Sequence, residues 1–176
     1  MNALDRTAGE YTDEERRELI AYEHVFGIGD ATHYREGLAD MARGYFAALL
    51  WTQPDYDDEE NEDGDRTLDQ DYGVSDVHPA DVADMVEEFR ALVVAHPLAL
   101  ALYRERSAHR VDASEGTVWD YFGHDYLLTR DHHGAGFWDR GLGDLGEYLT
   151  GIVHAAGEHD TLTEEFGQLT STPGRG

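Results

Sequence analysis

Apolar residues recur at helical spacing along most of this chain. Thr12-Asp13-Glu14-Glu15 reads as a capping box, with Thr12 as N-cap and Glu15 reaching back, and opens a helix to about Tyr22. Gly27-Ile28-Gly29-Asp30 breaks it. Leu38, Met41, Ala42, Tyr45, Phe46, Leu49 and Leu50 share one face of a second helix, from about Thr32 to Trp51, which Pro54 stops. His78-Pro79 starts a third, with proline at its first position and a stripe of Val82, Met85, Val86, Phe89, Leu92 and Val93. Pro97 separates this from a short helix, Leu98 to about Ala108. Gly143 to about Ala156 turns Leu145, Tyr148, Leu149, Ile152 and Val153 inward, and Thr161-Leu162-Thr163-Glu164 reads as the cap of a short terminal helix.

The period changes before that point. Tyr126-Leu127-Leu128-Thr129 and Gly136-Phe137-Trp138 read as two short strands joined by a His-rich turn. The pattern therefore predicts a single α+β domain over residues 12–169, predominantly helical, with a small β-hairpin in its C-terminal half. Residues 1–11 and 170–176 read as flexible tails. Residues 55–71 read as an acidic loop that cannot pack, because like charges so dense repel.

Charge narrows the possible partners. Thirteen arginines and no lysine face 38 acidic residues, a formal net charge of -25 on 176 residues. Duplex DNA carries roughly one charge per 1.7 Å of axis, so this excess equals that of about 42 Å of duplex. A globule of this length is roughly 40 Å across. Such a molecule repels nucleic acid and anionic membranes and attracts proteins built to hold them. Ten of the acids and one arginine lie in 55–71, so the loop supplies -9 and the rest of the chain -16. A GC-rich genome or a salt-loving host also produces such a balance. The absence of cysteine excludes disulfides and thiolate chemistry, and cytoplasmic placement is the default expectation. Apolar runs such as Leu98 to Tyr103 are too short to span a bilayer.

The densest chemistry lies in residues 122–141, where four glycines alternate with aromatics, His, Asp and Arg. The candidate catalytic residues are His124, Asp125, His133 and Asp139, with Arg130 and Arg140 holding an anionic group and a histidine serving as acid–base. Residues 123–140 resemble a C-terminal motif, Gly-His-Asp-Phe-Trp-Leu-Thr-Arg-Asn-Gly-His-Gly-Ala-Gly-Phe-Trp-Asp-Arg, of a family of small uncharacterised phage and mobile-element proteins. Tyr45 to Thr52, ending Ala-Leu-Leu-Trp-Thr, resembles the N-terminal hallmark of the same family. Leu127 stands where that family has an aromatic, and Asp131-His132 where it has Asn-Gly. The resemblance implies a phage-like source and no particular chemistry.

No transition-metal site is expected: adjacent His132 and His133 would point to opposite faces of a strand, and no zinc spacing appears. Glu59, Asn61, Asp63, Gly64, Thr67 and Gln70 form a partial calcium-loop pattern, which implies at most weak divalent binding at 59–70. The chain has no P-loop, no G-x-S-x-G, no H-E-x-x-H and no basic cluster for direct nucleic-acid contact. The leading expectation is a non-enzymatic acidic interaction protein of phage type. It would block a basic, nucleic-acid-binding or defence protein of the host as a DNA mimic does. Its interaction carboxylates would be Asp57, Asp58, Glu59, Glu60, Glu62, Asp63, Asp65, Asp84, Glu87 and Glu88, with Asp13 and Glu14 beside them. The alternative is a small-ligand binder or enzyme using segment 124–140.

Overall fold

The computed structural model describes residues 2–172 and residue 174. Helix α1 (Asp13–Phe26) begins with the capping box expected at Thr12, whose hydroxyl accepts from the Glu15 N–H at 3.2 Å. The Thr12 N–H donates in return to the Glu15 carboxylate at 2.7 Å. Helix α2 (Ala31–Thr52) is capped by Asp30, and α3 (Pro79–Ala95) and α4 (Pro97–Ser107) each start on a proline. Helix α5 spans Val118–Arg130 and α6 spans Asp144–Ala155. Helix α2 packs along the length of α5, while α1 lies against α3 and α4, and α6 against α4 and α5. The fold is mostly helical with one small antiparallel sheet, an α+β arrangement.

Two glycines set the central helix pair. A Cβ on Gly123 would stand 1.9 Å from the Met41 carbonyl oxygen, and one on Gly44 2.0 Å from that of Asp120. The backbones of α2 and α5 therefore touch, and no larger residue fits at either contact. Phe122 packs beside this junction, its ring against Phe89, Tyr103, Trp119, Tyr126 and Phe137. Four tyrosines are wholly buried, and their hydroxyls need partners. Tyr22 donates to Glu18 at 2.6 Å, Tyr103 to Asp125 at 2.9 Å and Tyr126 to Glu88 at 2.7 Å. Tyr45 meets His159 and, at 3.3 Å, Arg130. Part of the acidic excess is thus spent inside, holding aromatic hydroxyls.

Several expectations are corrected. Residues 126–129 are not a strand but the last turns of α5, and 136–138 fall in a short 3-10 turn, Phe137–Asp139. Short apolar runs fit helix or strand equally well, and here packing of Gly123 on α2 selects the helix. The hairpin lies instead where a terminal helix was expected: β1 (Thr163–Glu165) pairs with β2 (Gln168–Thr170), Glu164 opposite Leu169. Phe166 and Gly167 both have positive φ, 53° and 81°, the backbone of a tight hairpin turn. Leu162 and Leu169 plug the hairpin into the core, and the Leu169 carbonyl accepts from the His78 N–H at 2.8 Å.

The N-terminal segment is not a loose tail. Ala3 and Leu4 are buried, and the Ala3 N–H donates to Glu18 at 2.8 Å. At the other end, Thr170 is buried and its hydroxyl donates to Asp81 at 2.7 Å, joined there by Ser171. Met1, Pro173, Arg175 and Gly176, the remainder of the expected tails, lie outside the described residues.

The acidic segment packs as well. Asp55 is buried, Leu68 is 2 % exposed, and Pro54 bridges to Thr67. Asn61 is the loop's hub. Its amide donates to the carbonyls of Asp55 and Arg66 at 3.0 and 2.8 Å, and its oxygen accepts from the Arg66 N–H at 2.9 Å. Among the described residues, no helix is long and apolar enough to cross a membrane.

Candidate functional site

The six residues singled out in segment 124–140 separate into four places. Asp125 is 1 % exposed and takes hydrogen bonds from three directions. The Tyr103 hydroxyl donates at 2.9 Å, Arg110 Nη1 at 3.1 Å and Arg140 Nε at 2.8 Å. Arg140 arrives because the chain doubles back after α5. Residues 131–133 end the helix with His132 at φ 53°, in the left-handed position usually given to glycine. The His133 N–H then donates to the Leu128 carbonyl at 2.9 Å, and that of His132 to Thr129 at 3.3 Å. Thr129 pins the returning strand of chain, accepting from the Phe137 N–H at 3.0 Å. The adjacent histidines therefore close a helix rather than join two strands.

His124, Asp125 and Arg140 line a cleft of about 560 Å³ between α2, α5 and the turn after α4. Arg43, Gly44 and Ala47 contribute one wall, with Val74, Arg110, Glu115, Asp120 and Tyr121 around the rest. His124 stacks on the exposed Trp51 ring at 6.0 Å. Burial lowers its pKa, Asp125 opposes that, and nearby Arg140 and Arg110 reinforce it, so the imidazole is neutral at pH 7. Arg43 is committed within the wall, its Nε and Nη2 donating to Asp120 at 2.8 and 2.7 Å. Arg43, Arg110 and Tyr121 lie outside the motif-rich segment, and no local pattern draws attention to them. Their only sequence signal is the scarcity of cations.

Arg130, Asp139 and His133 are elsewhere. Arg130 reaches Glu88 at 3.1 Å, the Gly157 carbonyl at 2.8 Å and Tyr45, which makes it a tie between α5, α3 and the segment after α6. Asp139 is exposed, and His133 borders a separate small cavity with Asp131, His159 and Asp160. Half-buried His159 there is pushed down to about 4, by desolvation first and Arg130 second. A joint site of all six residues is not what the fold builds.

The interaction carboxylates also divide. Glu87 pairs with Arg90, and Glu88 with Arg130 and Tyr126, so both serve the fold. Asp57 accepts from the Glu164 N–H at 2.9 Å, and Asp58 caps the Glu60 N–H at 2.9 Å beside Arg66. Asp84 is exposed on α3, and Asp13 pairs with Arg16. Glu59, Glu60, Glu62, Asp63 and Asp65 are exposed, and their side chains have no partner among the described residues. Asn61, third in the calcium-like pattern, spends its whole amide on the loop backbone. No group of three or more His, Asp or Glu among the described residues is placed to hold a metal ion.

No family model, curated protein or solved structure matches the chain.

Proposed function

We propose that this protein is an acidic interaction protein that occupies the basic, nucleic-acid-binding surface of a partner and competes there with nucleic acid. The observation that carries this reading is the ordered loop at 55–71. Five unpartnered carboxylates within residues 59–65 are held on a backbone that Asn61, Asp55 and Leu68 fix in place. Packing like charges side by side costs stability, and nothing in the core needs them there. An ordered anionic ridge also meets its partner with little conformational entropy left to lose, which a floppy tail does not. Net charge of -25 steers the encounter over distances of about a Debye length, about 10 Å at 0.1 M salt. The resemblance of residues 123–140 to phage proteins supports a host nucleic-acid-binding or defence factor as the target, met in the host cytoplasm.

The test uses the whole protein, immobilised in low salt, to capture basic proteins. Each captured protein is purified and mixed with a labelled duplex that it binds. Displacement of the duplex, weakening steeply with salt and lost when residues 59, 60, 62, 63 and 65 become amides, is the expected result. A ternary complex, or capture of no nucleic-acid-binding protein at all, would sink the proposal.

A further inference from the structure

The arginine cleft stands apart from the acidic ridge and asks for a different ligand. Asp125 needs one guanidinium to balance its charge, and the fold supplies two. Arg140 uses only Nε on Asp125, which leaves its Nη1/Nη2 edge open. Arg110 uses only Nη1, which leaves its Nε/Nη2 edge open. Beyond Asp125 and, for Arg110, the neighbouring Tyr103 hydroxyl, neither guanidinium has a partner among the described residues, and both side chains are about one-fifth exposed, at 19 % and 20 %. Such edges match the paired oxygens of a carboxylate or phosphate. A partly desolvated surplus of positive charge costs free energy until an anion arrives to share it.

The surrounding wall defines the rest of the ligand. Gly44, Ala47 and Val74 form an apolar side, and neutral His124 can donate or accept. Arg43 and Asp120 neutralise one another, while exposed Glu115 sits beside Tyr121 at 3.3 Å. Across the whole cleft three arginines face three carboxylates, exposed Glu115 among them, so the positive surplus is local to Arg110 and Arg140 around Asp125, in a molecule whose net charge is -25. It is a local refuge for an anion that the rest of the surface repels. A volume of about 560 Å³ suits a small organic molecule.

We propose that this cleft binds a small organic anion, a phosphate or carboxylate carried on an apolar body. The anionic group bridges the open edges of Arg110 and Arg140, and the body lies along Ala47 and Val74. Unlike the acidic ridge, this site needs no macromolecular partner.

The experiment titrates the intact protein with adenosine monophosphate, benzoate and inorganic phosphate at constant ionic strength. Thermal unfolding and Trp51 emission are the readouts. Saturable stabilisation by adenosine monophosphate or benzoate at about millimolar concentration or below is expected, stronger than with inorganic phosphate. Whichever of the two organic anions wins separates phosphate from carboxylate. Arg140→Gln should weaken binding about tenfold or more. Ala47→Phe, at an exposed helix position away from the ion pairs, should fill the cleft and do the same without changing the unliganded melting temperature. Absence of a saturable response to all three anions overturns the proposal, as does binding that Ala47→Phe leaves undiminished.

Discussion

The acidic ridge and the arginine cleft use charge in opposite ways. On the ridge, Glu59, Glu60, Glu62, Asp63 and Asp65 share one sign, face water and touch no cation among the described residues. In the cleft, Arg110, Asp125 and Arg140 alternate in sign and are largely withdrawn from water. The ridge is held by backbone and amide hydrogen bonds that ignore its charges, whereas the cleft is held by the charges themselves. Counting ionisable residues cannot distinguish these cases. What distinguishes them is pairing and burial, so substitutions in the two regions should differ greatly in their cost.

The largest effect should come from Asp125→Ala. It leaves Arg110 and Arg140 facing each other and the Tyr103 hydroxyl without its acceptor. A loss of about 3–5 kcal/mol in urea unfolding is expected. A loss of less than about 1 kcal/mol would erase the contrast with the ridge. Gly123→Ala comes next, because its Cβ would meet the Met41 carbonyl at 1.9 Å and force α5 off α2. About 3 kcal/mol is expected, and ligand response at the cleft should fall with it, since Gly44 and Ala47 lie on the same stretch of α2.

Acid should act through the half-buried histidines before it acts elsewhere. His159 is held neutral down to about 4 by burial and Arg130, and His124 is shifted in the same direction, by burial first. An unfolded histidine takes up its proton near pH 6.5, so the unfolded state binds more protons between that value and about 4. Stability is therefore fully present above pH 6.5 and declines as pH falls through that window. His159 alone should account for a change on the order of 2 kcal/mol. Unfolding curves for the parent and His159→Gln, taken at pH 7 and pH 5, test this. An equal decline in both proteins would show that the slope arises at other groups.

Smaller effects belong to the ridge. Asn61→Ala removes three loop hydrogen bonds and should cost about 1 kcal/mol, with faster amide exchange at Asp55 and Arg66. Unchanged exchange would mean that Asn61 does not organise the loop. Converting the five free carboxylates to amides should change global stability least, by within about 0.5 kcal/mol and toward stabilisation. A clear loss of fold there would make the ridge structural and remove the main support for the proposed competition with nucleic acid.

Much of the helical architecture was legible in the chain. The Thr12 capping box, the stripes of α2 and α3, Pro97 between α3 and α4, and the inward face of α6 lie where local pattern places them, except that Tyr148, expected inward on α6, is 51 % exposed. The helix α5 was misread although Thr117 and Asp120 carry its cap, because Gly123 and the β-prone run after it weaken the helical signal. The candidate site was legible in part: His124, Asp125 and Arg140 meet, while Arg130, His133 and Asp139 serve other places.

Local pattern determined the caps, the apolar stripes and the charge, because each depends on residues within about one or two turns of one another. Only the tertiary structure decided which charges are spent. Asp125 and Arg110 are 15 residues apart, as are Asp125 and Arg140, while Glu18 and Arg90 are 72 apart. The Asp125 pairings form where the chain on either side of α5 returns to it, and Glu18 meets Arg90 because α1 packs on α3. Burial and pairing then make arginine and aspartate an anchored ion network in the cleft, while the five carboxylates of the ridge stay exposed and unpaired among the described residues.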